Sequence, residues 1–253
     1  EAPTTNTTDE TNLPLGLHSC KDRLCVVSTA GKVSIIDPFA DIEKQIMKEF
    51  QAFDDTNPVL VTAHALQNGT LSVGGKDRET VLFDLETSKQ VWKAKNLPPD
   101  PQTLLHPQVW ATAACFFLDD NNNRMAVGTA YHQIRLYDVR EDRRRPTAFT
   151  LPLEKSFLEH RVTALCQLSE HALAVGDAAG YVHSVDVRRL GRSSDAVVGR
   201  FVGPAGSVRS MVRHATLPRM ALVGLDRMLR IYDTNTRQQL NTVYLKQRLN
   251  CVL

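Results

Sequence analysis

A short segment that ends in a hydrophobic residue and an aspartate recurs five times along this chain of 253 residues. The aspartates that end the five copies are Asp37, Asp84, Asp138, Asp186 and Asp233. Successive copies are separated by 47, 54, 48 and 47 residues. Self-similarity at a period of about 20 to 50 residues is typical of folds built from one repeated structural unit. This spacing therefore constrains the fold more strongly than any other feature of the sequence.

Each copy lies within a set of four short apolar segments. The segment before the aspartate-ending one contains Val-Gly in four of the five copies, and glycine there permits either a close backbone approach or a bend that a side chain would block. Alternation such as Val33 and Ile35 is typical of half-buried strands. We predict four strands per unit, called a to d in chain order, in five units that cover about 15–50, 60–95, 109–153, 162–203 and 208–245. Residues 42–53 have some helical character but stand where strand d of the first unit belongs.

Four-stranded units with an ending similar to Trp-Asp predict an all-β fold of the WD40-type β-propeller class. The tryptophan is replaced here by five other residues: Ile36, Phe83, Tyr137, Val185 and Tyr232. A two-sheet sandwich, the alternative architecture, would not require five units in phase. The domain is predicted to cover 13–253, after a flexible polar segment at 1–12, and to end in a further strand at 249–253. Two arrangements fit: a small ring, or a seven-bladed ring that lacks its first two blades and is closed by the strand at 249–253.

Positive charge is concentrated in the second half of the chain. Residues 1–125 carry 11 Lys and Arg against 17 Asp and Glu, a balance of −6, whereas residues 126–253 carry 19 against 11, a balance of +8. Of the 19 cations, 17 are arginines. This asymmetry indicates an anionic partner, although two unlike solvated surfaces would give the same counts.

Sequence signatures of catalysis are missing. The chain has no phosphate-binding loop, no His-Glu-x-x-His and no Gly-x-Ser-x-Gly, and its eight histidines lack metal-ligand spacing. The strand-a residues expected to line a central channel, Thr62, Thr163 and Ser210, are small and uncharged. We predict a protein that is not an enzyme and that takes no cofactor, metal or small-molecule substrate. No apolar run approaches the ~20 residues of a membrane span, and five cysteines without a Cys-x-x-Cys argue against a disulfide framework and a zinc ribbon.

The arginines of the second half fall on loops that share one face of the predicted propeller, where the a–b and c–d loops emerge. Arginine forks bind phosphate through two parallel hydrogen bonds, and phosphate contacts dominate affinity for nucleic acids. We predict contact with RNA or an acidic partner through the c–d loops of the third and fourth units, at Arg140, Arg143, Arg144, Arg145, Arg188, Arg189 and Arg192. The alternative is a solvated loop partly neutralised by Glu141 and Asp142. No aromatic residues are interleaved with these arginines, so base-specific readout is not predicted.

The opposite face carries the b–c and d–a loops and is predicted to contact protein. The residues predicted for this contact are Tyr131, His132, Arg209, Arg227, Lys246 and Arg248. The d–a loop at 96–108 contains four prolines, and a long, stiffened loop on a rigid scaffold is a natural docking element.

Six further segments occur in a characteristic order: Lys93-Ala-Lys-Asn96, Tyr131-His-Gln-Ile-Arg135 with Tyr137-Asp138, Arg144-Arg-Pro146, Ala205-Gly-Ser-Val-Arg209, Gly224-Leu-Asp-Arg227 with Leu229-Arg-Ile231, and Val243-Tyr-Leu-Lys246 with Leu249-Asn-Cys251. With them the chain resembles the family of WD repeat-containing protein 74, whose fungal counterpart is NOP-seven-associated protein one. The resemblance is good over about 60–253 and weak over 13–50.

The resemblance implies a seven-bladed propeller of the nucleus and nucleolus that acts as a scaffold in rRNA processing and assembly of the large ribosomal subunit. It implies a pre-ribosomal particle as the partner, with its assembly factors and ribosomal RNA, and an AAA-type ATPase that aids release. The chain is then expected to start at about the third blade. The alternative function is a peptide-binding adaptor or substrate receptor unrelated to ribosomes.

Overall fold

A computed structural model describes residues 12–41, 45–53, 60–101, 103–118, 122–150, 157–191 and 196–252. These residues form twenty strands in five four-stranded antiparallel sheets. Every sheet runs in simple order from its first strand to its fourth, because tight turns join successive strands. The fold is an all-β propeller of five blades, and the prediction of this fold from the repeat is confirmed.

The first two blades hold strands β1 to β8. The first blade consists of β1 (Pro14–Cys20), β2 (Arg23–Ser28), β3 (Lys32–Ile36) and β4 (Ile46–Gln51). The second consists of β5 (Val61–Gln67), β6 (Thr70–Gly75), β7 (Arg78–Asp84) and β8 (Lys89–Lys93).

The other three blades hold strands β9 to β20. The third blade consists of β9 (Ala111–Phe116), β10 (Arg124–Thr129), β11 (Ile134–Asp138) and β12 (Ala148–Phe149). The fourth consists of β13 (Val162–Gln167), β14 (Ala172–Asp177), β15 (Val182–Asp186) and β16 (Val197–Phe201), with a single 3₁₀ turn at Val187–Arg189. The fifth consists of β17 (Val208–Arg213), β18 (Arg219–Gly224), β19 (Met228–Asp233) and β20 (Gln239–Tyr244).

The repeated aspartate organises the turn between the third and fourth strand of each blade. Its carboxylate accepts a hydrogen bond from the backbone N–H two residues further on in every copy, at 2.8 to 3.2 Å. Such a bond mimics a backbone turn and favours aspartate over most other residues. Hydrogen bonds also hold the pKa of four of these carboxyls below the usual value; the leading donors are Thr87 for Asp84, Arg140 for Asp138, Arg188 for Asp186 and Thr236 for Asp233.

The recurring Val-Gly allows neighbouring blades to meet closely. A Cβ placed on Gly128 would lie 2.3 Å from Cγ1 of Val162, and one on Gly176 would lie 2.8 Å from Cγ1 of Val208. Both valines begin the first strand of the following blade. The predicted close approach at these glycines is confirmed: the group that packs against each glycine is a valine side chain of the next blade.

Four clusters of buried side chains hold the propeller together, and each joins two consecutive blades. They join the first blade to the second, the second to the third, the third to the fourth and the fourth to the fifth. Among the residues that the structure describes, no such cluster joins the fifth blade to the first. Hydroxyls on the inner strands add links between blades: Thr62 Oγ1 donates to the carbonyl of Ala111, and Thr112 Oγ1 donates to that of Val162 at 2.6 Å.

The structure differs from the sequence prediction in three places. Strand β4 occupies most of 45–53, so the helical alternative there is wrong where the chain is described. Strand β12 has only two residues, although a longer segment was predicted; residues 151–156 lie outside the described ranges. Residues 249–252 form no strand, and the N–H of Leu249 donates instead to the carbonyl of Gly224 at 3.4 Å. Leu253 and almost all of the predicted flexible segment, residues 1–11, are outside the described part.

Candidate functional site

Two of the predicted contact arginines fold back on the repeated aspartate of their own blade. Arg140 places Nε 2.9 Å and Nη2 2.6 Å from the two carboxylate oxygens of Asp138. Arg188 does the same with Asp186, at 3.0 and 2.8 Å. Such bidentate pairs are the strongest ion-pair geometry that arginine offers. Each guanidinium therefore already holds a carboxylate, and part of the charge counted on these loops is neutralised locally.

Arg189 completes this group. Its Nε lies 3.9 Å from the same carboxylate of Asp186, so that one acid faces two arginines. The hydrogen bond that its guanidinium donates to Asp186 raises the pKa of Arg188. All three paired arginines keep more than half of their side chains exposed. They remain reachable by a partner, but a phosphate must compete with a carboxylate. Arg192, the seventh predicted residue, lies outside the described ranges.

Arg143, Arg144 and Arg145 behave differently. All three are exposed, and none forms an ion pair with another described residue. The carbonyl of Arg144 accepts a hydrogen bond of 2.8 Å from the backbone N–H of Lys95, just past the end of β8. Their loop is thereby attached to the outermost strand of the second blade. The structure thus separates the predicted arginines into two groups. The loop of Arg143, Arg144 and Arg145 lies at the boundary of the second and third blades. Arg188 and Arg189 lie on the fourth blade.

Sequence reasoning missed Lys93 and Lys95, which are exposed beside this loop. Their proximity comes from the stacking of the blades, because the outer strand of one blade lies beside the c–d turn of the next. The same arrangement joins Lys48 on β4 to the carbonyl of Glu86 in the second blade. Such pairs can be predicted from the sequence when the fourth strand of one unit is compared with the c–d loop of the next unit.

On the opposite face, Tyr131 belongs to a small aromatic group. Its ring meets that of Trp110 edge-on with centroids 6.5 Å apart, and Lys76 Nζ lies 5.3 Å from the Trp110 ring centre. The indole N–H of Trp110 donates to Thr62 Oγ1 at 3.2 Å. A cation over a half-buried tryptophan is a favourable recognition element. The residues predicted for protein contact include Tyr131 and His132 but neither Trp110 nor Lys76, although Lys76 lies on a b–c turn of the same face.

The other predicted protein contacts lie on the fifth blade. Arg209 and Arg227 are exposed, and the carbonyl of Arg227 accepts a hydrogen bond of 2.9 Å from the N–H of Leu245. This bond brings Lys246 close to Arg227, and Arg248 follows as a further exposed cation. The six predicted residues therefore form two groups on two blades.

The fourth blade carries a second aromatic group that the sequence analysis did not identify. His160 and Tyr181 stack with planes only 7° apart and centroids at 6.1 Å, and Arg200 lies 5.6 Å from the Tyr181 ring centre. Beneath them His183 is buried, and burial, followed by the charge of Arg200, lowers its pKa.

A crevice of about 400 Å³ lies between the first and second blades. Its wall mixes both signs of charge, including Lys21 and Glu86, whose side chains are 3.4 Å apart and well exposed.

Over the described residues there is no group of three or more histidine, cysteine or acidic side chains arranged to hold a metal. The hydroxyl of Thr163, which was predicted to line a central channel, donates to the carbonyl of Gly176 at 3.3 Å, a structural role. Within the same ranges, no helix has the length and apolar character needed to cross a membrane.

Sequence comparison shows that the chain is similar to several known proteins. A WD repeat-containing protein of Dictyostelium discoideum is 34% identical over 188 residues, which are 74% of this chain and 34% of the relative. WD repeat-containing protein 74 of Bos taurus is 35% identical over 186 residues, 72% of this chain and 45% of the relative. Ribosome biogenesis protein nsa1 of Schizosaccharomyces pombe is 25% identical over 240 residues, 82% of this chain and 57% of the relative. No family model matches the chain. The chain spans less than half the length of the first two relatives.

Proposed function

The chain belongs to the family of WD repeat-containing protein 74 and the ribosome biogenesis protein NSA1, and we propose on this premise that it is a non-catalytic assembly factor for the large ribosomal subunit. The observation that carries the proposal is the match to relatives named ribosome biogenesis proteins over more than two thirds of this chain. The partner is a pre-ribosomal particle, with its ribosomal RNA and other assembly factors. The site of action is the nucleus and its nucleolus, and an AAA-type ATPase aids release.

The geometry supports a scaffold. Five blades joined by four buried clusters form a stiff framework, and recognition in such proteins resides on loops held by that framework. Exposed arginines stand on the c–d loops of the third and fourth blades, and we assign them to RNA or an acidic partner. We assign Tyr131, His132 and the basic residues of the fifth blade to protein contact: Arg209, Arg227, Lys246 and Arg248.

Sedimentation of the tagged protein tests this function. In a gradient of nuclear extract, it should migrate with precursors of the large subunit, and its depletion should cause precursors of large-subunit rRNA to accumulate. Migration with small-subunit precursors alone, or only at the top of the gradient, contradicts the proposal. Replacement of Arg143, Arg144 and Arg145 by glutamate should then shift the protein toward lighter fractions, and unchanged migration would remove this loop from the contact surface.

The aromatic group on the opposite face favours a second candidate, a peptide-binding adaptor unrelated to ribosomes. Trp110 and Tyr131 with the cation of Lys76 provide an anchor of the kind found at the centre of protein interfaces. The two candidates respond differently to ribonuclease. A ribosome assembly factor loses its large-particle association when RNA is digested, whereas a peptide-binding adaptor keeps its partner.

A further inference from the structure

The outer edge of the propeller between the second and third blades carries five exposed cations, which we call the basic seam: Lys93, Lys95, Arg143, Arg144 and Arg145. Lys93 is the last residue of β8, the outermost strand of the second blade. The arginines lie on the loop between β11 and β12 of the third blade. The 2.8 Å hydrogen bond from the N–H of Lys95 to the carbonyl of Arg144 fixes the loop against the end of this strand.

Acidic residues do not cancel the charge of the seam. Glu141 and Asp142 in the same loop are exposed, so five cations against two carboxylates leave an excess of +3. Glu79 also lies close enough for its charge to interact with that of Lys93, but its carboxylate is mostly buried and its nearer partner is the buried guanidinium of Arg135 at 4.0 Å. The seam arginines lack the bidentate aspartate that holds Arg140 and Arg188. Their donors therefore remain available to an external anion.

The five side chains also suit an anion that extends across two blades. Lys93 and Lys95 are two residues apart in extended backbone, a separation of about 7 Å, so their ammonium groups can reach different charges of one chain. The arginine loop adds forked donors from the neighbouring blade. A polyanion with regularly repeated charges meets such an array at several points.

We propose that the basic seam binds the sugar–phosphate backbone of a folded RNA helix, an inference that rests on the proposed role in ribosome assembly. Proteins recognise double-stranded RNA mainly by shape and by phosphate and 2′-hydroxyl contacts, and lysine and arginine supply such contacts without reading bases. The seam contains no aromatic residue for base stacking. Hot spots of protein interfaces combine arginine with tryptophan and tyrosine anchors, and the seam has arginines and lysines but no aromatic anchor among its five residues.

Direct binding of a labelled RNA hairpin to the purified protein, followed by fluorescence anisotropy, tests the proposal. The seam variants are Lys93→Glu with Lys95→Glu, and Arg144→Glu with Arg145→Glu. The matched control is Lys89→Glu with Arg23→Glu, which makes the same charge change at exposed sites at the start of β8 and in the first blade. We expect each seam variant to bind at least about tenfold more weakly, and the salt dependence of log K to fall by about one for each cation removed.

The control should stay within about twofold of the unmodified protein. Equal losses in seam and control variants would show a general charge effect and overturn the proposal. Displacement of the hairpin by polyglutamate at equal charge concentration would assign the seam to an acidic protein instead. A second hairpin of unrelated sequence should bind equally well, and strong discrimination between the two would contradict backbone recognition. The milder pair Lys93→Gln with Lys95→Gln should show a smaller loss in the same direction, with unchanged thermal unfolding.

The same variants separate this inference from the proposed function. If seam variants lose the hairpin while the unmodified protein binds it but never migrates with pre-ribosomes, the seam stands and the ribosomal function fails. If the protein migrates with large-subunit precursors but the purified form does not bind the hairpin, the function stands and the seam is wrong.

Discussion

The indole of Trp92 meets the ring of Tyr137 edge-on, with centroids 5.6 Å apart and planes at 79°. Trp92 lies on the outer strand of the second blade, and Tyr137 immediately precedes the repeated aspartate of the third. Comparable contacts join Phe50 to Phe83 and Phe201 to Tyr232, at 5.2 and 5.4 Å. The aromatic residue before the aspartate therefore receives a side chain from the preceding blade in three of the four interfaces.

Truncation of this contact should weaken the whole fold. We expect Trp92→Ala to lower the free energy of unfolding by about 3 to 5 kcal/mol, because a buried ring is lost and a cavity remains. Urea unfolding measures the change. The control is Val91→Ala, whose side chain is 58% exposed and whose effect should stay within about 0.5 kcal/mol. Similar losses for the two variants would mean that the contact carries little of the stability.

The approach of Val208 to Gly176 gives a second prediction. Gly176→Ala should cost about 1 to 3 kcal/mol, because its Cβ would overlap Val208 and overpacking forces the backbone to shift. In a background of Val208→Ala the same change should cost less, since the two Cγ methyl groups are gone and only the Cβ of residue 208, at 2.9 Å, still obstructs. A double-mutant cycle by urea unfolding measures this coupling, and strictly additive effects would contradict the steric explanation.

The paired histidines of the first two blades predict a pH dependence. His18 Nε2 lies 2.7 Å from His64 Nδ1, and burial, followed by the proximity of His18, lowers the pKa of His64 from 6.5 to about 4. The unfolded chain therefore binds this proton at a higher pH than the folded protein does. The stabilisation that follows from the lowered pKa is fully present above pH 6.5 and is lost as the pH falls toward 4. For His64 this loss lowers the free energy of unfolding by about 3 kcal/mol.

Urea unfolding between pH 7 and pH 4 measures this loss. His64→Gln removes the titrating group and should flatten the pH dependence by about that amount. An identical pH dependence in the His64 variant would show that other groups are responsible.

Asp177 stabilises the turn after β14. Its Oδ1 accepts hydrogen bonds from the backbone N–H groups of Ala179, Gly180 and Tyr181 at 2.8 to 2.9 Å, and the residue is buried. Asp177→Ala leaves these donors without an acceptor and should cost about 3 kcal/mol, while Asp177→Asn keeps an acceptor oxygen and should cost less. Thermal unfolding compares both with the exposed control Asp142→Ala. Equal effects of the alanine and asparagine variants would exclude hydrogen bonding as the cause.

The blades were predictable because their signals are local. An aspartate that accepts a bond two residues further on specifies a turn whatever surrounds it, so the spacing of Asp138 and Asp186 predicts two blades directly. The pairing of Arg140 with Asp138 is local as well, and the shared Asp-Val-Arg of the third and fourth blades is the signal that reveals it.

Features that join two blades were harder to predict. The seam depends on the stacking of Lys95 against the Arg144 loop, 49 residues later in the chain, and the group formed by Trp110, Tyr131 and Lys76 also requires two adjacent blades. The strand expected at 249–253 was inferred from the need to close a ring of blades rather than from a local turn signal. In the described part, residues 249–252 lack that pairing.

The succession of four buried clusters, each shared by consecutive blades only, has a consequence for motion. Contacts of this kind make a protein behave as a one-dimensional array, in which each unit is supported by its immediate neighbours. Among the described residues, the third blade is held from both sides, whereas the first and fifth blades are each held by one cluster. Amide hydrogens should therefore exchange slowest in β9 and β10 and progressively faster toward β1 and β20. Opening is expected to begin at the two terminal blades while the middle blade remains closed.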